Sequence, residues 1–240
     1  TVTPVGGLLF KPPGERSPGG SFLHTMKRTA ILIDGEWFRR GLQATLTTLP
    51  GAHGITADVM YRNALLTLDT AQEELYRIFY YDCPPYSGQE VNPISRVPMN
   101  FKTQPKHHAR TMFLNEMMHL PFVALRLGVA RRRGWHLKDQ WVQAAIKGTV
   151  TTAPASTDVF LSLEQKGVDM RLGIDVATLA LKEQVERIIV ISGDTDMVPA
   201  MKLARREGVQ VILTALQGWV NLSRDLIEDA DVVRTIVPIP

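Results

Sequence analysis

The sequence alternates short apolar runs with longer amphipathic stretches, and this alternation restricts the fold more than any other feature. In the last third, an apolar strand at 187–191 precedes a helical pattern at 196–206, and a strand at 209–214 precedes a helix at 220–228. A final strand covers 232–236. Short strands that are apolar on both faces are typical of parallel sheets covered by helices on both sides. The chain is therefore predicted to be an α/β protein with a mostly parallel central sheet.

The rest of the chain continues this pattern less regularly. The same criteria predict strands at 29–33, 75–81 and 122–129, and helices at 36–46, 55–68, 105–120 and 169–182. A long polar loop is expected at 86–104, whereas 138–164 carries no pattern that favours one element. Residues 1–25 are rich in Pro and Gly, as in a flexible extension or a tail derived from cloning, so Met26 is a plausible native start.

Four aspartates occupy the places where a parallel sheet binds its ligands. Asp34 follows the first strand, Asp194 and Asp196 lie in the loop SGDTD after the strand at 187–191, and Asp169 begins a helix. Ligands of such sheets bind beyond the carboxyl ends of the strands. Each aspartate taken alone is better explained as a helix cap or a turn residue, worth about 1 kcal/mol.

Considered together, the four aspartates favour a metal site. Carboxylates gathered at one edge repel one another unless a cation lies among them. Oxygen ligands without Cys or paired His favour Mg²⁺ or Mn²⁺ over Zn²⁺. A magnesium-dependent phosphohydrolase or nuclease is the resulting hypothesis.

Three sequence blocks resemble a known family. They are AILIDG at 30–35, KGVD at 166–169 and SGDTDMVP at 192–199, and they resemble the NYN domain, specifically its LabA-like branch in the PIN-like nuclease superfamily. The resemblance covers the chain from about Met26 to its end. It implies a PIN-like three-layer α/β/α sandwich in one domain, 26–240, with a basic insertion around 86–140.

The resemblance also implies an activity. It implies an endoribonuclease that hydrolyses RNA with Mg²⁺ or Mn²⁺ as cofactor, and it leaves a homodimer open. The family's metal-binding and catalytic acids correspond to Asp34, Asp169, Asp194 and Asp196. The sequence departs from the family where an Asn commonly follows Asp-Gly, because Glu36 stands there and is a candidate fifth metal ligand.

Three further residues are candidates for supporting roles. Asp175 lies six residues after Asp169, so on a helix its side chain points about 120° away and either pairs with Arg171 or supports the site indirectly. Lys166 could contact the scissile phosphate, or be unconstrained. Ser192 could hydrogen-bond a metal-bound water, or cap the turn.

One segment holds the positive charge of the chain. Residues 96–138 carry nine basic side chains and one acidic one, although the net charge of the whole chain is only +3. Phe101, Phe113 and Trp135 lie among them, and basic groups interleaved with aromatic ones are typical of surfaces that bind single-stranded or structured RNA. The candidate RNA-binding residues are Lys102, Lys106, Arg110, Arg126, Arg131, Arg132, Arg133 and Lys138. The alternative is a solvated face that offsets nearby acids.

Other functions are less well supported by the sequence. A haloacid dehalogenase-type phosphatase needs a second acid two residues after the nucleophile followed by Thr or Val, and Glu36-Trp37 does not supply this. A catalytically silent PIN-like module that binds RNA or a protein remains the alternative, although an intact set of acids disfavours binding of polyanions. The single cysteine, Cys83, excludes internal disulfides, and without an apolar run of about 18 residues the protein is expected to be cytoplasmic.

Overall fold

A computed structural model describes residues 26–46, 54–219 and 222–240. The predicted tail at 1–25 and the predicted start of a helix at Val220 therefore lie outside the described residues. The strands are β1 (Lys27–Asp34), β2 (Glu73–Asp82), β3 (Gln89–Val91), β4 (Pro98–Asn100), β5 (Val123–Leu127), β6 (Val129–Leu137), β7 (Val159–Lys166), β8 (Arg187–Ile191), β9 (Gln210–Leu216) and β10 (Val232–Ile236). The helices are α1 (Gly35–Leu46), α2 (Ala57–Leu65), α3 (Pro105–His119), α4 (Asp139–Ile146), α5 (Val168–Leu181), α6 (Val198–Arg206) and α7 (Arg224–Glu228).

The central sheet has six strands in the order β10-β9-β8-β1-β2-β5, and every neighbouring pair is parallel. The middle strands are buried on both faces, as residues 30–33 of β1 and all five residues of β8 show. All carboxyl ends of a parallel sheet lie at one edge. The end of β1 therefore lies between the ends of β8 and β2.

Helices cover both faces of this sheet. On one face α5, α6 and α7 bury Leu172, Met201 and Leu226 against it. On the other face α1, α2 and α3 contribute side chains such as Phe38 and Met60. The predicted α/β fold with a parallel sheet between two helical layers is confirmed.

The region between β5 and α5 differs from the prediction. The strand expected at 122–129 ends at Leu127, and after Gly128 the chain leaves the central sheet as β6. Strand β6 pairs antiparallel with β7, and α4 lies in the connection between the two strands. The unassigned stretch at 138–164 thus contains a helix and most of a strand. Neither β6 nor β7 has a fully buried residue, which explains why apolar runs did not reveal them.

Two smaller differences concern surface elements. The loop expected at 86–104 contains the short antiparallel pair β3–β4 and a 3₁₀ turn at Phe101–Thr103. Among residues 26–46, 54–219 and 222–240, no helix has the length and apolar character that crossing a bilayer requires.

Candidate functional site

Asp34 lies at the carboxyl end of β1 and serves as a helix cap. Its Oδ1 accepts a hydrogen bond from the Trp37 backbone N–H at 3.0 Å, which satisfies a free donor in the first turn of α1. Its other oxygen, Oδ2, accepts a long hydrogen bond of 3.4 Å from the Ser192 hydroxyl. The Asp34 carboxylate therefore links the end of β1 to the residue that follows β8.

The environment of Asp34 favours its protonated form. Burial raises the pKa of Asp34 to about 6, although the Trp37 N–H acts in the opposite direction. The negative charges of Asp169, Glu36 and Asp82 add to the rise. A carboxyl group that lies among other acids and titrates near neutral pH is typical of a functional site.

The loop after β8 holds the next two acids. Ser192 is buried, and its hydroxyl accepts a hydrogen bond from the Asp194 N–H at 3.1 Å. Asp194 in turn accepts a hydrogen bond from the Asp196 N–H at 2.9 Å, so Asp194 caps the 3₁₀ turn at Thr195–Met197. A Cβ atom at Gly193 would overlap the indole of Trp37. The glycine therefore lets this loop pack closely against α1.

Asp169 stands between these two groups of acids. It lies in the first turn of α5, two residues after Gly167, whose φ of 79° is in the left-handed region that favours glycine. Burial raises the pKa of Asp169, and the charges of Asp194 and then Asp196 raise it further. Asp169 borders one depression with Asp34 and another with Asp196. Carboxylates from β1, α5 and the β8 loop thus influence one another electrostatically.

The donor chemistry of this edge fits a hard divalent cation. In the part of the chain that the structure describes, no three His, Cys, Asp or Glu side chains lie close enough to hold one ion together. Mg²⁺ keeps several waters and is commonly bound through one or two carboxylates plus the phosphates of its substrate. The residues present therefore fit an ion held by one or two carboxylates together with water and phosphate oxygens, and Asp34 and Asp169, which border the same depression, are the candidate pair.

Glu36 and Lys166 occupy the rim of this site. Glu36 accepts a hydrogen bond of 2.6 Å from the side-chain amide of Gln165, and both residues border the depression that contains Asp34. Lys166 instead pairs with Glu164 at 3.0 Å. Its ammonium group is thus engaged with a carboxylate at the end of β7, and Arg40 is the basic residue that lines the depression.

Asp82 is an acid at this edge that the sequence-based site did not include. It ends β2, is 1% exposed and accepts hydrogen bonds from Tyr80 Oη at 2.9 Å, the Cys83 N–H at 2.7 Å and Arg110 Nη2. Burial and the Asp82 charge raise the pKa of the Tyr80 hydroxyl. The tyrosine therefore stays a donor. A signal was present in the sequence, since Asp82 follows a strand just as Asp34 does.

Asp175 has partners other than the predicted Arg171. Its Oδ2 accepts hydrogen bonds from Tyr81 Oη at 2.7 Å and from Arg126 Nε at 2.8 Å. Arg171 donates instead to the Gly167 carbonyl at 3.2 Å. Arg126, a candidate RNA-binding residue, is thus part of an ion pair that joins β5 to α5.

The predicted basic surface divides into paired and unpaired cations. Besides Arg126, three of its arginines form ion pairs: Arg110 with Asp82, Arg132 with Glu90 and Arg133 with Glu164. For the other four, no carboxylate within the described ranges lies at salt-bridge distance, and these are Lys102, Lys106, Arg131 and Lys138. Part of the basic segment therefore offsets nearby acids, as one interpretation predicted, and the other part is free to bind RNA, as the other interpretation predicted.

The fold and the site define an α/β protein with acidic residues at the carboxyl edge of its parallel sheet. Comparison with known families makes this class more specific. The family described as the NYN domain matches residues 123–237, from the start of β5 to the end of β10. This match supports the assignment to the NYN group of PIN-like proteins, whose members are generally nuclease-like, typically ribonucleases, and generally use divalent metals. The matched segment includes Asp169, Asp194 and Asp196, whereas Asp34 precedes it.

Two further comparisons complete the findings. A crystal structure of a protein of unknown function from Vibrio parahaemolyticus is similar, with 17% sequence identity, coverage of 90% of this chain and 96% of that chain, and a TM-score of 0.44. No curated protein matches the chain.

Proposed function

We propose that this protein is a metal-dependent endoribonuclease of the LabA-like NYN branch, in which residues 26–240 form one domain with a basic insertion. The observation that supports this most is the meeting of acids from β1, α5 and the β8 loop at the edge where parallel sheets bind ligands. A structural role would explain each of these acids separately. It does not explain why Asp34 is kept buried near Asp169 at the cost of a raised pKa.

Each acid has a distinct part in this proposal. One or two of Asp34, Asp169 and Asp194 would bind Mg²⁺ or Mn²⁺ directly, with water and phosphate oxygens as the other ligands. Asp196 and Glu36 would then act through the water molecules bound to the ion. A divalent cation bound there polarises the phosphodiester and makes a water molecule more acidic. Ser192 keeps the Oδ2 atom of Asp34 in place through its hydroxyl. Asp175 acts indirectly, because it orients Tyr81 and Arg126 by accepting a hydrogen bond from each.

Substitution of the acids tests the proposal. Wild-type protein, incubated with labelled single-stranded RNA and Mn²⁺, is expected to cleave it internally. Asp34→Asn and Asp194→Asn are each expected to lower the cleavage rate about 100-fold or more, because each removes a charge that binds the cation. Both variants should fold, because Asn retains the oxygen that caps the following turn.

A matched control separates charge at the site from charge elsewhere. Asp58 lies on α2 and forms an exposed i,i+4 ion pair with Arg62, so Asp58→Asn should cleave like the wild type. Metal-dependent cleavage by purified Asp194→Asn protein at the wild-type rate would contradict the assigned site. Tight RNA binding in EDTA without turnover in Mn²⁺ would instead favour the non-catalytic module.

A further inference from the structure

A second concave surface lies away from the carboxylates, and we name it the hairpin groove. It runs between the β6–β7 pair on one side and the 3₁₀ turn with the start of α3 on the other, and its volume is about 580 Å³. This size falls within the range of roughly 300–1,000 Å³ typical of small-ligand sites. The residues that define it here are Tyr86, Phe101, Lys106, Trp135, Lys138 and Phe160.

Aromatic rings from three parts of the chain line the groove. Tyr86 and Phe101 meet edge to face, with ring centroids 5.5 Å apart, and the Tyr86 hydroxyl is held by Glu90 at 2.8 Å. Trp135 of β6 lines the opposite side, on the same face of the β6–β7 pair as Leu161. Phe160 of β7 borders the groove, but its side chain lies on the other face of the pair, because it stands opposite His136 and its ring is 6.1 Å from the His136 ring. Flat rings in a concave surface are suited to stacking on unpaired bases.

Two polar atoms of residues that line the groove lack partners. Within the described ranges, Trp135 Nε1 and His107 Nδ1 are buried and form no hydrogen bond. A buried donor left unpaired costs about 1–3 kcal/mol, so such groups usually have a bound partner in the functional state. A ligand or an ordered water at the groove would supply the missing partners.

The charges of the groove favour a polyanion. Lys106, Arg110 and Lys138 are among its lining residues, whereas none of the lining residues is Asp or Glu. Lys106 and Lys138 are also two of the four cations identified above as unpaired. Their ammonium groups are therefore available for phosphates without the loss of an existing ion pair.

The groove continues toward the acidic site. Tyr86, Arg110 and Leu163 line both the hairpin groove and a second depression, which also contains Glu36 and Asp82. That depression shares Glu36, Gln165 and Leu163 with the cleft that contains Asp34 and Asp169. Arg110 stands where the first two meet, with Nη2 engaged by Asp82. One strand of nucleic acid could therefore follow a continuous path along these depressions.

We propose that the hairpin groove binds an unpaired base of single-stranded RNA, stacked on Trp135 and facing Phe101 across the groove, while the flanking phosphates contact Lys106 and Lys138 and the strand continues past Arg110 to the carboxylates. This proposal rests on the proposed ribonuclease function and specifies its substrate class. Duplex RNA does not fit, because paired bases stay inside the helix and cannot enter a groove lined by aromatic rings.

Equilibrium binding in EDTA tests the groove independently of catalysis. A short labelled oligouridylate, with the protein as titrant, is expected to bind Trp135→Ala and Phe101→Ala roughly 5- to 100-fold more weakly than the wild type, because stacking contributes about 1–3 kcal/mol per base. Phe122→Ala is the matched control, since Phe122 is 61% exposed and lies outside the groove, and its affinity should be unchanged. Lys106→Gln should reduce the slope of log K against log salt by about 0.7.

The outcomes distinguish this proposal from the proposed function. Wild-type affinity in both Phe101→Ala and Trp135→Ala would overturn the groove, and so would equal affinity for a fully paired RNA hairpin or no binding at all. Phe101 lies in a 3₁₀ turn without a fully buried residue, so Phe101→Ala should fold even if Trp135→Ala does not. Loss of binding in these variants without any cleavage by the wild type in Mn²⁺ would support the groove and contradict the nuclease. Cleavage that needs Asp194 but is unaffected by Phe101→Ala and Trp135→Ala would do the reverse.

Discussion

At the scale of single residues, structural and functional explanations of the same aspartate coexist. The sequence made a turn residue the better explanation for Asp34 alone, whereas in the structure Asp34 caps α1 through Oδ1. Its Oδ2 atom points instead to Ser192 at the sheet edge. The sequence could predict those acids of the site that directly follow a recognisable strand. Asp82 was omitted because no family motif contains it, although its position after β2 obeys the same rule.

The raised pKa of Asp34 predicts how stability depends on pH. The folded-state pKa of about 6 lies above the usual 3.8, so the folded protein binds this proton more tightly than the unfolded chain does. The contribution of Asp34 to stability therefore falls as the pH rises from about 4 to about 6. In EDTA near neutral pH, Asp34→Asn should unfold in urea with a free energy up to roughly 3 kcal/mol above that of the wild type.

Acid and metal provide the controls for this prediction. The advantage of Asp34→Asn should disappear below about pH 4, where the wild-type carboxyl is protonated in both states. Excess Mn²⁺ should stabilise the wild type more than the variant, because only the carboxylate gains a cation. A difference in unfolding free energy between the two proteins that is the same at every pH would contradict the raised pKa of Asp34.

At the scale of elements, a buried ion cluster joins strands near the other edge of the sheet. Glu73 begins β2 and is 3% exposed, and it accepts hydrogen bonds of 2.6 Å from Arg187 of β8 and of 2.6 and 2.8 Å from Arg234 of β10. Burial alone would raise the pKa of Glu73, but the hydrogen bonds from Arg234, the Asp69 N–H and Arg187 lower it below its usual value. The carboxylate is therefore charged in the folded protein.

Substitution of Glu73 should destabilise the whole sheet. Glu73→Gln leaves two guanidinium groups without their counter-charge, and removal of one partner of a buried ion pair costs about 3–5 kcal/mol. The matched control is Glu74→Gln on the same strand, which is exposed and should change the unfolding free energy by less than about 0.5 kcal/mol. Because the pKa of Glu73 is lowered, the difference between Glu73→Gln and wild type should diminish as the pH falls below about 4.5. Urea denaturation at several pH values measures both effects.

The elements differ in how far the sequence determines them. The predictions for 187–191 and 232–236 agree with β8 and β10 to the residue, because a strand of the parallel sheet is a short apolar run with polar ends. The β6–β7 pair was missed because its residues are exposed or half-buried, so no burial pattern is imposed on them. Its order comes from strand pairing over some thirty residues of chain, which local sequence patterns do not record.

At the scale of the whole molecule, the small net charge of +3 conceals a division of labour. The basic segment does not face the acids as one uniform surface. Part of it forms ion pairs: Arg132 of β6 pairs with Glu90 of β3, and Arg110 joins α3 to Asp82 at the end of β2. The remainder, which includes Lys106 and Lys138, borders the hairpin groove. The basic side chains near the carboxylates thus form structural ion pairs, whereas those at the hairpin groove are free to bind phosphates.

The β6–β7 pair with α4 is separable from the core, and this leads to a prediction for the entire fold. In the described residues, neither hydrophobic cluster of the sheet includes a side chain from 129–167. The two ends of the β6–β7 pair also lie side by side, since Val129 faces Lys166 and Ala130 faces Gln165. Replacement of residues 131–164 by Asn-Gly, which favours a two-residue hairpin turn, should therefore leave the six parallel strands intact.

This shortened protein separates folding and the acidic site from RNA binding. It should unfold in one cooperative transition at a free energy lower by roughly 1–3 kcal/mol, since it loses surface ion pairs and a few hydrogen bonds but no core side chain. It should bind single-stranded RNA far more weakly, because Trp135 and Lys138 are removed. At saturating RNA its cleavage rate should stay near that of the wild type, because Asp34, Asp169 and Asp194 remain, so the loss should appear in KM rather than in kcat. A broad, non-cooperative transition would mean instead that the hairpin is part of what holds the sheet together.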